Sequence, residues 1–146
     1  MENNFTLKIK EEIKRKGLKI TMQKILILKK LLKMKNHPSA EKLIEEIKKE
    51  YSYINISTVY KLLNIFRKKG IVQEIPSFDD ERHFDGNPIP HPHIICLKCK
   101  KIEDIDEIDM KSIEKIINKI EKKKGYELIS KNLIFLGICE KCKERR

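Results

Sequence analysis

Two C-x-x-C pairs constrain this chain more than any other feature. Cys96 and Cys99 form the first pair, Cys139 and Cys142 form the second, and residues 100–138 lie between them. Two such turns present four thiolates to one ion, a tetrahedral set that suits Zn²⁺. Such a site ties the last strand to the first strands of the second half and stabilises a small core. A redox C-x-x-C, two disulfides and an iron–sulfur cluster are the alternatives.

Length and charge bound the class of protein. The 146 residues permit one compact domain or two small ones. Lys and Arg exceed Asp and Glu by 33 − 22 = 11, which favours a polyanionic partner such as nucleic acid; a general Lys-rich bias is the alternative. No apolar run is long enough for a membrane span and no secretory signal is visible, so we expect a cytoplasmic protein. Paired cysteines in that compartment are more often metal ligands or redox groups than disulfides.

The first half has helical periodicity. A charged helix is predicted from residue 7 to Gly17, and Thr21 is placed to cap a second helix. Two further helices are predicted in 37–51 and 55–70, after which "IVQEI" and "RHFD" form a hairpin. Helices followed by a hairpin are typical of a winged helix-turn-helix domain, which we assign to residues 1–84. The predicted inward positions are Ile25, Leu28, Leu31, Leu32, Ala40, Leu43, Ile44, Ile47, Val59, Leu62, Leu63 and Phe66.

The helix in 55–70 is the predicted recognition helix. Its outward face offers hydroxyl, amide and ammonium groups that can reach base edges and phosphates in a major groove. The solvated face of an ordinary helix is an equally good interpretation of this pattern. The DNA-binding residues that we expect are Lys19, Thr21, Gln23, Lys24, Ser57, Thr58, Tyr60, Lys61 and Asn64.

The second half begins with a predicted hinge, "DGNPIPHP" at 85–92, which combines one Gly with three Pro. Strands in "HIICLKC" and "KKIEDI" follow, and then a helix in "DMKSIEKIINKIEKKKG". "YELISKNLIFLGIC" reads as one strand, or as two with a turn near Lys131-Asn132. We assign residues 85–146 to a small α/β domain, so the fold class of the whole chain is α+β. The helix carries an apolar side formed by Ile113, Ile116, Ile117 and Ile120.

A second metal site is expected beside the first cysteine pair. His91 and His93 are two residues apart, so in a strand they face the same side. Asp85 lies just upstream of them and Asp104 just downstream. Imidazole and carboxylate donors together suit Mn²⁺, Fe²⁺ or Zn²⁺. Ordinary loop histidines and a solvated turn acid are the alternatives.

Two other histidines are less informative. His37 starts a helix of the first half, and spacing alone does not connect it with a metal. If His37 does join the second site, metal binding favours one geometry of the two halves and acts as a switch. His83 is expected to be a plain surface residue.

Motifs along nearly the whole chain, in order, resemble those of the ferric uptake regulator family. They are "GLKIT" with Gln23, "HPSAEKL", "ISTVYKLLNIF", "GIVQEI", "HFD", "HPHIICLKC", "EDI" and "GICEKC". The resemblance implies an N-terminal winged helix-turn-helix domain and a C-terminal α/β dimerisation domain. It also implies a homodimer that binds a palindromic operator in double-stranded DNA.

Within that family, the chain is most similar to the peroxide-sensing repressors. This implies one structural Zn²⁺ per chain on the four cysteines and one regulatory Fe²⁺ or Mn²⁺ per chain. Asp104 points to this branch, because iron-sensing relatives usually carry Glu there. The implied mechanism is repression that ends when iron-catalysed oxidation of His37 or His91 by hydrogen peroxide abolishes DNA binding. The implied regulatory ligands are His37, Asp85, His91, His93 and Asp104.

Other functions remain as alternatives. The first is an iron- or manganese-responsive repressor without peroxide sensing. A metalloenzyme using Asp85, His91 and His93 lacks a general base or nucleophile and leaves the helical half without a role, so we expect no enzyme. The last is a structural zinc protein that binds nucleic acid non-specifically.

Overall fold

The computed structural model describes residues 2–35, 37–89, 91–128 and 131–145. The chain divides into two units, residues 1–88 (unit 1) and residues 89–146 (unit 2). Unit 1 is mainly helical and unit 2 mixes strands and helices, which confirms the predicted α+β class. No helix within the described ranges is long and apolar enough to cross a lipid bilayer.

Unit 1 contains four helices followed by a hairpin, the order expected for a winged helix-turn-helix domain. The strands of the hairpin pair antiparallel, with Glu74 opposite Phe84. The elements are α1 (Glu2–Arg15), α2 (Met22–Lys33), α3 (Ala40–Glu50), α4 (Ile56–Lys68), β1 (Gln73–Ile75) and β2 (His83–Asp85).

Local sequence explains where these helices begin and end. The side chains of Thr21, Ser39 and Asn55 each accept a backbone N–H from the first turn of α2, α3 and α4, respectively. Gly17 and Gly70 follow α1 and α4 with φ of 77° and 71°, a left-handed conformation that glycine adopts without strain. Thus Thr21 caps α2 as predicted, whereas α1 begins earlier in the chain than expected.

The core of unit 1 differs from the predicted core at two positions of α2. Leu32 is 41% exposed, so its assignment to the core was wrong, and Ile27 is fully buried instead. Helix α2 contacts both α1 and α3, so the part of its surface that is buried extends beyond the predicted positions and includes Ile27. Leu32 lies beside Gly86, where an added Cβ would come within 2.7 Å of its side chain. The other eleven predicted inward residues are buried.

Unit 2 is a three-stranded sheet with strand order β4-β3-β5. Strand β3 pairs antiparallel with β4 and parallel with β5, and α5 provides the crossover that a parallel pair requires. The sequence also allowed two strands in the segment that ends with β5. That prediction falls partly on residues 129 and 130, which lie outside the described residues. The elements are β3 (His93–Cys96), β4 (Ile102–Asp104), α5 (Met110–Lys124), β5 (Ile134–Gly137) and α6 (Glu140–Glu144), and α6 was not predicted.

Helix α5 has well-defined ends but no buried side chain. Asp109 caps its first turn, and Gly125 closes it with φ of 71°. The predicted apolar side of this helix is largely accessible, since Ile116 is 58% exposed and Ile120 is 45% exposed. The amphipathic pattern therefore predicts the helix correctly but not a core within the described residues of unit 2.

Candidate metal centres

Unit 2 brings all four cysteines together. Cys96 ends β3, Cys99 lies in the turn that follows, and Cys139 and Cys142 come from the start and interior of α6. Their sulfur atoms lie within 4.8 Å of one another, and none forms a disulfide. The parallel pairing of Cys96 with Gly137 holds the two C-x-x-C segments side by side. The arrangement therefore offers four soft donors to one ion, the chemistry that Zn²⁺ prefers.

Hydrogen bonds distribute protons unequally over this cluster. Backbone N–H groups of Cys139 and Cys99 lower the pKa of the Cys96 thiol to about 5, and the bond from the Cys139 N–H is 3.4 Å long. A hydrogen bond to the Cys139 sulfur and burial raise the pKa of Cys142 to about 12. These shifts favour the thiolate at Cys96 and the neutral thiol at Cys142. A dication at the centre would stabilise all four thiolates.

A second cluster in unit 2 contains three of the predicted regulatory ligands. His93 lies opposite Asp104 in the antiparallel β3–β4 pair. The Nε2 atoms of His91 and His93 lie 3.0 Å and 3.3 Å from the same Asp104 Oδ1 atom. The Nδ1–H of His91 donates to the carbonyl of Ile89 at 2.7 Å, so its Nε2 faces the carboxylate. Two imidazoles and one carboxylate thus converge, as metal ligands must.

The other two predicted regulatory ligands form a pair in unit 1. His37 Nδ1 lies 3.5 Å from Asp85 Oδ2, and both side chains are buried. His37 has φ of 48°, an uncommon conformation for a residue with a side chain. The second Asp85 oxygen, Oδ1, accepts the Asn87 N–H at 2.9 Å. The carboxylate is therefore oriented by the hairpin end on one side and faces the imidazole on the other.

The expectation that His83 is a plain surface residue was wrong. Its side chain is only 12% exposed. Its Nδ1–H donates to the carbonyl of His37 at 2.9 Å, and its Nε2 lies 2.9 Å from Asp79 Oδ2. Asp79 lies four residues before His83 in a loop and His37 lies 46 residues before it, so helical or strand periodicity could not have identified this role.

The outward side of α4 is partly occupied by contacts within unit 1. The Tyr60 hydroxyl donates to Glu41 Oε1 at 2.7 Å, and this bond raises the pKa of Tyr60. Asn64 Oδ1 accepts from the Arg82 guanidinium at 2.9 Å. Arg82 is a basic wing residue that the sequence analysis did not single out for this surface. Thus Tyr60 and Asn64 would have to exchange or share these partners to contact DNA.

The remaining predicted DNA-binding residues lie on or near the starts of α2 and α4. Lys24 Nζ donates to the carbonyl of Lys19 at 2.7 Å, and the hydroxyl of Ser57 donates to Asn55 at 2.6 Å. Lys19, Gln23, Ser57 and Lys61 are exposed, while Thr21, Lys24 and Thr58 are partly exposed.

Known proteins resemble this chain along most of its length. The peroxide-responsive repressor PerR of Staphylococcus epidermidis is 29% identical over 132 residues, 90% of this chain and 86% of that protein. The Campylobacter jejuni peroxide stress regulator is 32% identical with a TM-score of 0.71, covering 93% of this chain and 97% of the other. The Francisella tularensis ferric uptake regulator, solved with iron, is 30% identical with a TM-score of 0.70, covering 87% of this chain and 96% of the other.

A family model gives the same answer independently of any single relative. The model of the ferric uptake regulator family matches residues 15–136, a range that includes α2 to α4, the hairpin and most of unit 2. This chain belongs to the ferric uptake regulator family.

Proposed function

We propose that this protein is a cytoplasmic, metal-dependent transcriptional repressor that responds to hydrogen peroxide and is not an enzyme. The observation that carries the proposal is the convergence of His91 and His93 on one oxygen of Asp104. Similarity to peroxide-responsive regulators of two organisms supports this function. An iron- or manganese-responsive repressor without peroxide sensing is the alternative, and similarity to an iron-bound ferric uptake regulator favours it.

The four cysteines are proposed to hold one structural Zn²⁺ per chain. Their sulfur atoms are mutually close, and each pair comes from a different part of unit 2. Zinc ligation would therefore link β3 to α6 and stabilise the sheet. Because a closed four-thiolate site leaves no open position, these cysteines are protected and are not the proposed sensor.

The regulatory Fe²⁺ or Mn²⁺ is proposed to bind three histidines and two aspartates. The donor set fits these ions, which accept imidazole and carboxylate ligands. The pair in unit 1 and the cluster in unit 2 each present an imidazole nitrogen near a carboxylate oxygen. Ligation by both sets would favour one arrangement of the two units and thereby control DNA binding. The five proposed ligands are His37, Asp85, His91, His93 and Asp104.

Peroxide sensing is proposed to act through the ligand histidines. Bound Fe²⁺ would supply the electron that reduces hydrogen peroxide, whereas Mn²⁺ supports binding but reacts poorly. His37 and His91 are the proposed sites of oxidation. An oxidised imidazole is a poorer ligand, so its loss from the set would release the ion and end repression.

DNA binding is proposed to use a homodimer and a palindromic operator. Two copies of α4 would enter major grooves about one helical turn apart. The net charge of +11 supplies phosphate attraction, so affinity should fall steeply with salt. The starts of α2 and α4 carry the predicted contacts, with Lys61 and Ser57 exposed on the recognition helix.

The proposed dimer interface is the apolar surface of unit 2. Helix α5 buries none of its side chains, and a cavity of about 340 Å³ lies along it. Exposed Ile116, Ile120 and Leu133 line that cavity, and Phe135 is exposed on β5. Contiguous apolar surface of this kind favours association with a second copy.

The proposal is tested by locating oxygen added to the protein. Zinc-replete protein is loaded with Fe²⁺ without oxygen, given a small dose of peroxide, and examined by peptide mass spectrometry, with Mn²⁺-loaded protein as the control. Oxygen on the peptide of His37 or His91, only with iron, is the expected result. Absence of histidine oxidation despite bound iron would contradict peroxide sensing and leave the metal-responsive alternative.

A conservative change at Asp104 separates the two candidate functions. We expect Asp104→Glu to retain metal-dependent DNA binding while losing sensitivity to peroxide. Asp106→Glu is the matched control, because Asp106 is an exposed acid in the same segment. Unchanged peroxide sensitivity in Asp104→Glu would remove Asp104 as the determinant of the response.

A further inference from the structure

Unit 1 contains another group of metal-type ligands that the proposed function does not use. The hairpin loop and β2 bring together Asp79, Glu81 and His83, here called the wing cluster. Each offers one ligand atom, and these atoms lie within 4.8 Å of one another. One residue lies between Asp79 and Glu81, and one between Glu81 and His83. The fold of the loop, and not this spacing alone, brings the three side chains together.

Hydrogen bonds orient the Asp79 carboxylate toward His83. Its Oδ1 atom accepts from the Ser77 hydroxyl at 2.6 Å and from the Glu81 backbone N–H at 3.0 Å. Its Oδ2 atom instead faces His83 Nε2 at 2.9 Å. Burial raises the pKa of Asp79. Hydrogen bonds from Ser77, His83 and Glu81 together lower it by more than burial raises it, so the pKa lies below its ordinary value. Asp79 is therefore an oriented carboxylate at neutral pH.

The His83 ring is oriented as metal-binding histidines commonly are. The carbonyl of His37 can only accept, so the Nδ1 atom of His83, 2.9 Å away, carries the hydrogen. Because Nδ1 is held by the carbonyl, Nε2 is the ring nitrogen that faces the Asp79 carboxylate, where it can donate to Oδ2 when it carries a hydrogen or ligate a cation when it does not. A backbone carbonyl behind the imidazole is a frequent support for a metal ligand. His91 has the same arrangement, with Nδ1 on a carbonyl and Nε2 on a carboxylate.

A route for an ion exists from solvent. Glu81 and His83 form part of the wall of an open cavity of about 600 Å³ in unit 1, and Asp79 contacts His83 from the loop. Glu81 is exposed and Asp79 is partly exposed. A cation could thus reach the cluster and keep water molecules as its remaining ligands.

We propose that Asp79, Glu81 and His83 form a separate, exchangeable binding site for a divalent first-row cation, with Mn²⁺ as the test ion. One imidazole and two carboxylates suit such ions better than they suit the thiophilic ones. Occupation would also strengthen the bond from His83 to the His37 carbonyl and so hold the uncommon backbone conformation of His37. This last consequence rests on the function proposed above, because it matters only if His37 is a regulatory ligand.

The site is tested by equilibrium dialysis of the zinc-replete full chain against Mn²⁺. Wild type should bind one more Mn²⁺ per chain than Asp79→Asn/Glu81→Gln, and the control Asp80→Asn should match wild type. Equal binding by wild type and the double variant would overturn the proposal. His93→Ala reports separately on the regulatory site, so failure of that assignment leaves the comparison of wild type with the double variant intact.

A second measurement does not depend on how well the double variant folds. In His93→Ala protein, Mn²⁺ should broaden the imidazole NMR signals of His83 by paramagnetic relaxation. Signals of His83 that stay sharp at saturating Mn²⁺ would show an imidazolium–carboxylate pair only and overturn the site. For the coupling to His37, the double variant should bind its remaining Mn²⁺ several-fold more weakly; unchanged affinity would overturn the coupling.

Discussion

Unit 1 and unit 2 bury their apolar side chains to very different extents. Unit 1 has a continuous core from α1 to β2 that includes fully buried Phe66 and Phe84. Among the described positions of unit 2, the buried apolar residues are Pro92, Ile95, Cys96, Ile102 and Cys142, and none of them lies on α5. Unit 1 can therefore be stabilised by its own core, whereas we expect unit 2 to depend on the proposed zinc ligation and on the proposed dimer interface.

The largest expected effect is the loss of unit 2 when zinc is removed. Chelation, or Cys142→Ser, should abolish ordered structure in unit 2 and leave the helices of unit 1, because structural zinc contributes on the order of 10 kcal/mol to folding of such sites. Amide hydrogen exchange resolves the two units. Lys141→Ser, beside Cys142 on α6, should change little. Full protection of β3 and β5 without zinc would contradict this dependence.

A substitution in the core of unit 1 should instead destabilise unit 1. Phe66→Ala removes a fully buried side chain and should lower the free energy of unfolding of unit 1 by about 3–5 kcal/mol. Phe78→Ala is the matched control, because Phe78 is 53% exposed and should lose less than about 0.5 kcal/mol. Denaturant unfolding monitored by helix content measures both changes. Similar losses in the two variants would contradict a core centred on Phe66.

Shortening an exposed side chain of α5 should affect association more than folding. Ile116→Ala should weaken the dimer by about 1–2 kcal/mol, roughly tenfold in dissociation constant, if the exposed side chain is covered by a second copy. Sedimentation at several protein concentrations measures this constant. Leu7→Ala, at an exposed position of α1, is the control and should leave it unchanged. A dimer of unaltered strength in Ile116→Ala would place the interface elsewhere.

The smallest effect should come from the wing ion pair of unit 1. The Arg82 hydrogen bond lowers the pKa of Glu74, with burial opposing it. Since the folded-state pKa is depressed, the stabilisation is present above the ordinary value of 4.5 and is lost as pH falls through the folded pKa. Glu74→Gln should therefore cost about 0.5–1 kcal/mol at neutral pH and nothing in acid. Glu11→Gln, at an exposed acid of α1, is the control for the loss of one negative charge. If Glu74→Gln still lowered the free energy of unfolding at low pH, the ion pair with Arg82 would not be the cause.

Sequence patterns predicted local features well. Thr21 marks the start of α2, and the inward positions predicted for α3 and α4 are all buried. These features depend on residues a few positions apart, whose relation is set by helix geometry. The same reasoning misassigned Leu32, because the width of a buried face depends on which helices lie against it. It also could not show that α5 lacks a covering surface in unit 2.

The candidate sites also combine residues that the sequence could name with contacts that only the fold determines. Sequence spacing and family resemblance suffice to name the cysteines and the regulatory residues as ligands, and their roles stay predictions. The distances that bring His91 and His93 to one Asp104 oxygen follow from the β3–β4 register. Asp79 lies four residues before His83, but the contact depends on the fold of the loop between them, and the packing of unit 1 brings the His37 carbonyl to His83.

By itself, the sequence determined the helices of unit 1, the hairpin and the two thiol pairs, because each depends on short-range geometry that a few residues specify. Only the tertiary structure decided that β5 pairs parallel with β3, so that Cys139 meets Cys96. It also decided that His83 is a partly buried residue that donates to the His37 carbonyl and not a plain surface residue. Contacts between distant segments depend on the packing of the whole unit, and the periodicity of apolar residues along the sequence does not predict them.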